Sequence, residues 1–113
     1  MNLPLHWEFP GGKFEKDETL HECLQRELQE ELGIDIQPLQ NLTPNTHEYN
    51  NFIITLYPVI CRLKHNQEPR LSEHDQYRWL PERRMNDLLW APADLPILDE
   101  YLTLLANGSL SGV

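Results

Sequence analysis

The sequence predicts a mixed α/β domain with helices packed on a sheet, and three segments predict it. Between positions 19 and 32, Leu20, Leu24, Leu28 and Leu32 recur at helical spacing, and Gly33 follows as a natural C-terminal stop. Residues 52–63 (FIITLYPVICRL) are rich in β-branched and aromatic side chains and read as a strand. Residues 96–106 return to helical periodicity, with Ile97, Leu98, Tyr101, Leu102 and Leu105 on one side.

The other elements fall between these. Residues 7–9 read as a short extended segment stopped by Pro10, Gly11 and Gly12, whose backbone freedom suits a tight loop into the first helix. Asp17 or Glu18 can cap that helix, which is expected over residues 19–32. Residues 35–49 are a weaker strand candidate, and Pro58 marks an edge or a bulge in the strand at 52–63 because proline lacks an N–H. Residues 76–80 are expected as a short strand, 82–89 as a short helix and 107–113 as a flexible tail.

At 113 residues the chain is expected to form one domain, 1–113, large enough for a single core. Its net charge of -9 argues against binding to a nucleic-acid polymer, which needs clustered Lys and Arg. No apolar run is long enough to span a membrane, so no membrane partner is expected. Cys23 and Cys61 lack metal-ligand spacing and read as small core residues in a reducing, cytoplasmic setting.

Acid is concentrated in one place. Eight of the 18 acidic residues lie between Glu15 and Asp35, alongside only Lys16 and Arg26. Within that stretch the chain reads Gly-x5-Glu-x7-Arg-Glu-U-x-Glu-Glu-x-Gly-U (U aliphatic), filled by Gly12, Glu18, Arg26, Glu27, Leu28, Glu30, Glu31, Gly33 and Ile34. At a background of roughly 7% per residue type, the seven fixed residues coincide by chance less than about once in a million starting positions.

On a helix, Glu27, Glu30 and Glu31 occupy i, i+3 and i+4 of one face, beside the leucine stripe, while Glu22, Gln25, Arg26 and Gln29 fill the far side. A solvated acidic face is the plain reading of such a run. Against it, like charges one turn apart repel, more so beside apolar surface, and a divalent cation is the economical compensation. Carboxylate oxygens suit Mg²⁺ or Mn²⁺, hard ions that retain waters and bridge substrate phosphates. The eight-residue separation of Glu18 and Arg26 spans just over two turns, which lets Arg26 tie the preceding loop to the helix as scaffold.

This spacing is the signature of the Nudix hydrolases, and the chain resembles their MutT-like branch from Trp7 to Leu102. WEFPGGK (7–13), a glutamate ahead of Trp79 and PADLP (92–96) carry the rest of the resemblance. It implies an α/β/α sandwich around a mixed sheet. Relatives usually open with two further strands, whereas six residues precede Trp7, so a missing N-terminal strand pair is expected: either the gene product is shortened, or another chain, as in a homo-oligomer, completes the sheet.

The resemblance also assigns roles. Glu27, Glu30, Glu31 and Glu73 match catalytic, metal-binding glutamates, with Asp75 a near alternative to Glu73, and the Gly11 carbonyl matches a backbone metal ligand. Lys13 matches a lysine near the phosphates, and Phe9 matches a position lining the base pocket. Gly12, Glu18, Arg26 and Gly33 are structural parts of the motif.

Asp94 stands where the pattern has a base-reading asparagine; as a carboxylate it favours an amino or imino edge, although capping the last helix accounts for it equally. Trp79 and Trp90 read as core or pocket-wall residues. The implied activity is Mg²⁺-dependent hydrolysis of a nucleoside triphosphate to monophosphate and pyrophosphate, in the manner of nucleotide-pool sanitation. The implied substrates are (d)CTP, a modified pyrimidine triphosphate or 8-oxo-dGTP. The alternatives are a hydrolase of another nucleoside diphosphate-linked substrate and a noncatalytic nucleotide-binding module.

Overall fold

The computed structural model describes residues 7, 9–70, 80 and 82–108. Helix α1 (Leu20–Leu32) begins one residue later than expected, because Thr19 is its cap and not its first turn. The Thr19 hydroxyl accepts from Glu22 N–H and the Glu22 carboxylate accepts from Thr19 N–H, a complete capping box. Glu18, expected as a cap, is committed elsewhere, and Asp17 sits at φ 66° in the turn ahead of the helix. At the far end Gly33 adopts φ 67°, the left-handed conformation that glycine tolerates best, and the Gly33 and Ile34 N–H groups close on the Gln29 and Leu28 carbonyls.

The expected strands are subdivided. Residues 35–49 give β1 (Ile36–Asn41) and β2 (Asn45–Glu48). The single strand expected at 52–63 breaks at Tyr57 and Pro58 into β3 (Ile53–Leu56) and β4 (Val59–Leu63). Pro58 cannot donate to a ladder, so the break falls where the chemistry requires one. Strand β1 pairs antiparallel with β4, with a register shift between Pro38 and Gln40, and β2 pairs antiparallel with β3. In place of one mixed sheet, the described residues form two antiparallel pairs and a parallel bridge between Trp7 and Trp90.

Side-chain alternation builds the layers. Ile36, Cys61 and Leu63 lie with Leu24, Leu28, Leu32 and Ile34 in one cluster, under α1. Ile60, one residue out of phase with Cys61, joins Leu39, Leu42, Leu56, Phe9 and α2 (Leu95–Ala106) in the other, through Ile97, Tyr101 and Leu104. Successive strand residues point to opposite faces. The β1–β4 pair is therefore covered by α1 on one face and α2 on the other, the α/β/α sandwich the sequence implied. Glu100 ties α2 to the β1–β2 connection by accepting from Thr43 N at 2.8 Å and from Thr43 Oγ1 at 2.7 Å.

The short helix expected at 82–89 is a 3₁₀ helix, Glu82–Asp87, and a second 3₁₀ turn, Pro92–Asp94, leads directly into α2. All of the strand expected at 76–80 except Leu80, which is not in a strand, and most of the tail at 107–113 lie outside the described residues. Replacing the capping hydroxyl by Thr19→Ala should cost about 1 kcal/mol, a drop of roughly 4 °C in melting temperature by calorimetry.

Candidate active site: an acidic cleft beside the first helix

The loop carrying Gly11 and Gly12 turns back over the second and third turns of α1 and encloses a cleft of about 360 Å³. Gly11, Gly12, Lys13, Glu15, Arg26, Glu27, Glu30 and Glu31 line it. The side chains nominated from the motif are thus brought together with the loop glycines and Lys13. A hollow of about 380 Å³ beside Leu63, Asn66, Gln67 and Glu68 is comparable in volume but offers a single carboxylate.

Arg26 organises the cleft. Its Nε donates to Glu18 Oε2 at 2.6 Å and Nη2 to Glu18 Oε1 at 3.0 Å, a bidentate fork. Nη2 also donates to the Lys13 carbonyl at 2.9 Å, which pins the loop. Nη1 donates to Glu27 Oε1 at 2.8 Å and Glu30 Oε2 at 3.1 Å, and Glu15 stands 3.5 Å away. The sequence placed Arg26 on the far side of the helix from the acidic face. The long side chain instead folds back along its own helix to Glu30, one turn on, and to the loop, because four carboxylates outweigh the pull of solvent.

These contacts shift the titration of the pair. The Arg26 fork, with the Glu15 N–H as a second donor, lowers the Glu18 carboxyl from its ordinary 4.5 to about 2. Bonds to Glu18 and then Glu27 raise the Arg26 guanidinium further. Burial raises the Cys23 thiol, helped by Glu18, and pushes Cys61 up to about 11. Both thiols therefore stay protonated at neutral pH, as core residues should.

Gly12 approaches α1 closely. A Cβ built on it would overlap the Glu27 carboxyl group, so any side chain there displaces that carboxyl from its present position. Gly11, by contrast, has open space where a Cβ would point.

The remaining nominated residues lie elsewhere. Phe9 packs on Trp90 with ring centroids 4.5 Å apart, and Trp90 Nε1 donates to the Met85 carbonyl at 2.7 Å. Asp94 is buried, only 6% exposed, and makes no side-chain cap bond to α2, so the surface-cap reading does not hold. Glu73, its alternative Asp75, and Trp79 lie outside the described residues. Sequence reasoning missed Glu15 as a partner of Arg26, although the acid concentration contained it.

The NUDIX domain matches residues 2–101. The chain belongs to the Nudix hydrolase family. Within it, the chain is 34% identical over 100 residues to a CTP pyrophosphohydrolase of Escherichia coli, a match covering 88% of this chain and 73% of that protein. It is 50% identical over 50 residues to an 8-oxo-dGTP diphosphatase of Proteus vulgaris, spanning 44% of this chain and 45% of that protein. The fold superposes with a TM-score of 0.70 on a Nudix hydrolase named MutT from methicillin-resistant Staphylococcus aureus, 41% identical, covering 91% of this chain and 78% of that one. These likenesses place the chain in the MutT-like branch of the Nudix hydrolases.

Two outcomes follow from the Nudix cleft's geometry. A carboxyl held at about 2 in the fold and near 4.5 in the unfolded chain stabilises the fold fully above 4.5, and loses that contribution as pH falls toward 2. The melting-temperature gap between wild type and Glu18→Gln should therefore be constant above about pH 5 and shrink below it. Gly12→Ala should lower the melting temperature by the equivalent of about 1–3 kcal/mol through displacement of Glu27, while Gly11→Ala should leave it nearly unchanged.

Proposed function

We propose that the chain is a metal-dependent nucleoside triphosphate pyrophosphohydrolase that releases a monophosphate and pyrophosphate. The observation that carries this reading is the cleft itself: three glutamates of one helix face, two loop glycines and a lysine line a single space of about 360 Å³. The names of the relatives supply the substrate class, with (d)CTP or a modified pyrimidine triphosphate first and 8-oxo-dGTP second.

The donor set fits a hard divalent cation, Mg²⁺ or Mn²⁺. Its members are all oxygens: the carboxylates of Glu27, Glu30 and Glu31, and the Gly11 carbonyl, with Glu73 added by the resemblance. Among the described residues, no three such side chains are grouped closely enough to cage an ion unaided. That suits Mg²⁺, which keeps several waters and takes one or two carboxylates together with substrate phosphates. Each bond from Arg26 engages one oxygen of Glu27 and one of Glu30, so the second oxygen of each carboxylate remains as a donor.

When bound, the cation would neutralise phosphate charge and lower the pKa of a coordinated water. The protein's own groups do the rest. Lys13 brings a positive charge to the phosphates at the cleft rim. Arg26 fixes Glu27 and Glu30 so that neither carboxylate has to be ordered during the reaction. A glutamate of the trio takes the proton from the attacking water as general base. Phe9 and Asp94, which do not line the acidic cleft, supply the base-recognition end.

The test is a nucleotide panel with Mg²⁺, phosphate being detected after pyrophosphatase treatment. Turnover should be greatest with CTP, its deoxy or modified forms, or 8-oxo-dGTP, and should vanish on chelation. Glu31→Gln should lower kcat by about 10²–10⁴-fold in a protein that still melts cooperatively. A folded wild type with no turnover on the panel, indistinguishable from Glu31→Gln, would sink the proposal.

A further inference from the structure

Strand β2 presents a half-buried row that is polar where a core-facing row is ordinarily apolar. Asn45, His47 and the following Tyr49 alternate with exposed Thr46 and Glu48, so the three share one face. Two of them converge on a single residue of the 3₁₀ turn, Ala93. The Ala93 N–H donates to Tyr49 Oη at 3.1 Å, and the Ala93 carbonyl accepts from Asn45 Nδ2 at 2.8 Å. Ala93 is 2% exposed, so these bonds satisfy backbone groups that solvent cannot reach.

The residue after this clamped peptide is Asp94. Its own N–H donates to Ala91 O at 2.9 Å, which closes the turn. Tyr49 is in turn held by aromatic neighbours, with His47 at 4.5 Å and Phe52 at 5.0 Å between ring centroids. With both polar backbone groups of Ala93 held by Asn45 and Tyr49, and the Asp94 N–H held by Ala91 O, the backbone of Asp94 is fixed relative to β2.

We infer that Asn45 and Tyr49 are specificity-determining positioning residues, which set the base preference of the site by clamping the Ala93 peptide and thereby aiming the Asp94 carboxylate. The inference rests on the reading of Asp94 as the group that selects the base. Its physical content is that a carboxylate discriminates hydrogen-bond edges only if its oxygens are fixed. An acid on a loose turn accepts from whatever donor approaches, whereas an acid on a clamped peptide rejects a base whose acceptor faces it. Binding of the phosphates, in the cleft lined by Gly11, Gly12 and Lys13, does not depend on this clamp.

The test uses uncleavable α,β-methylene triphosphates of cytidine, uridine and guanosine, titrated with Mg²⁺ by calorimetry, so that no result depends on turnover. The readout is the ratio of Kd values between bases. Tyr49→Phe keeps the ring and removes only the hydroxyl, and Asn45→Asp keeps the shape and removes the donor. Each should shrink the ratio by about fivefold, the equilibrium counterpart of one ordinary hydrogen bond. Weakened binding of all three analogues with an unchanged ratio would show a merely structural role and overturn the inference. Asp94→Ala separates the two levels. If it abolishes the ratio while the β2 variants leave it intact, only the clamp fails. If Asp94→Ala itself leaves the ratio intact, or the folded wild type does not discriminate among the three, the base-selecting reading fails and the inference with it.

Discussion

The fork between Arg26 and Glu18 is the interaction on which the site depends. One guanidinium reaches backward to the Glu18 carboxylate and the Lys13 carbonyl, and forward to Glu27 and Glu30. Without it, the carboxylates of Glu15 and Glu18 would face those of Glu27 and Glu30 with no cation between them, and the loop would have little to hold it against the helix. Lysine could not replace it, because only a planar fork satisfies a bidentate carboxylate and a carbonyl while still reaching a second pair of acids. Each donor is directed, so the bonds fix orientation as well as proximity. The closure of Gly12 onto Glu27 then becomes a packing consequence of a loop already drawn in.

The fold distributes the site over two supports. On the proposed reading, phosphate chemistry falls to α1 and its leading loop, held by a capping box at one end of the helix and a left-handed glycine at the other. The other end of the proposed substrate falls to the turn before α2, which is anchored from β2 and not from α1. Phe9 joins them. It lies two residues before Gly11 and packs against Trp90, four residues before Asp94, while the Trp7–Trp90 bridge holds the backbone of both segments together. The loop and the turn are thereby linked through one aromatic contact and one backbone bridge.

The parts of this arrangement that were legible in the sequence are those carried by local spacing. The span of α1, its glycine stop, the leucine stripe and the grouping of Glu27, Glu30 and Glu31 in one cleft all follow from residues within a few turns of one another. The helix start was misplaced by one residue because Asp17 and Thr19 are both good caps, and the reciprocal bonds of Thr19 with Glu22 decide between them. The break at Pro58 was legible as a disturbance but not as a division into two strands. The clamp on Ala93 left no local trace, since Asn45 and Tyr49 lie more than forty positions from it in the chain. An asparagine and a tyrosine near a strand end look alike whether they face solvent or a buried peptide.

Charge links the scaffold to the proposed reaction. Four carboxylates surround one guanidinium, so Arg26 organises the cleft without neutralising it. The whole chain carries -9, and a polyphosphate approaching it is repelled. At physiological salt that repulsion is screened beyond about 8 Å, which leaves the last contact distance as the place where compensation is needed. Lys13 supplies one positive charge there, too little for a triphosphate beside three glutamates. On the proposed reading, substrate binding and bond cleavage therefore impose the same demand, a divalent cation shared between the glutamates and the phosphates. A nucleotide without its cation should be rejected before chemistry arises. On that reading the excess of acid in the cleft would act as a filter on the form of substrate admitted, in addition to supplying ligands and a base.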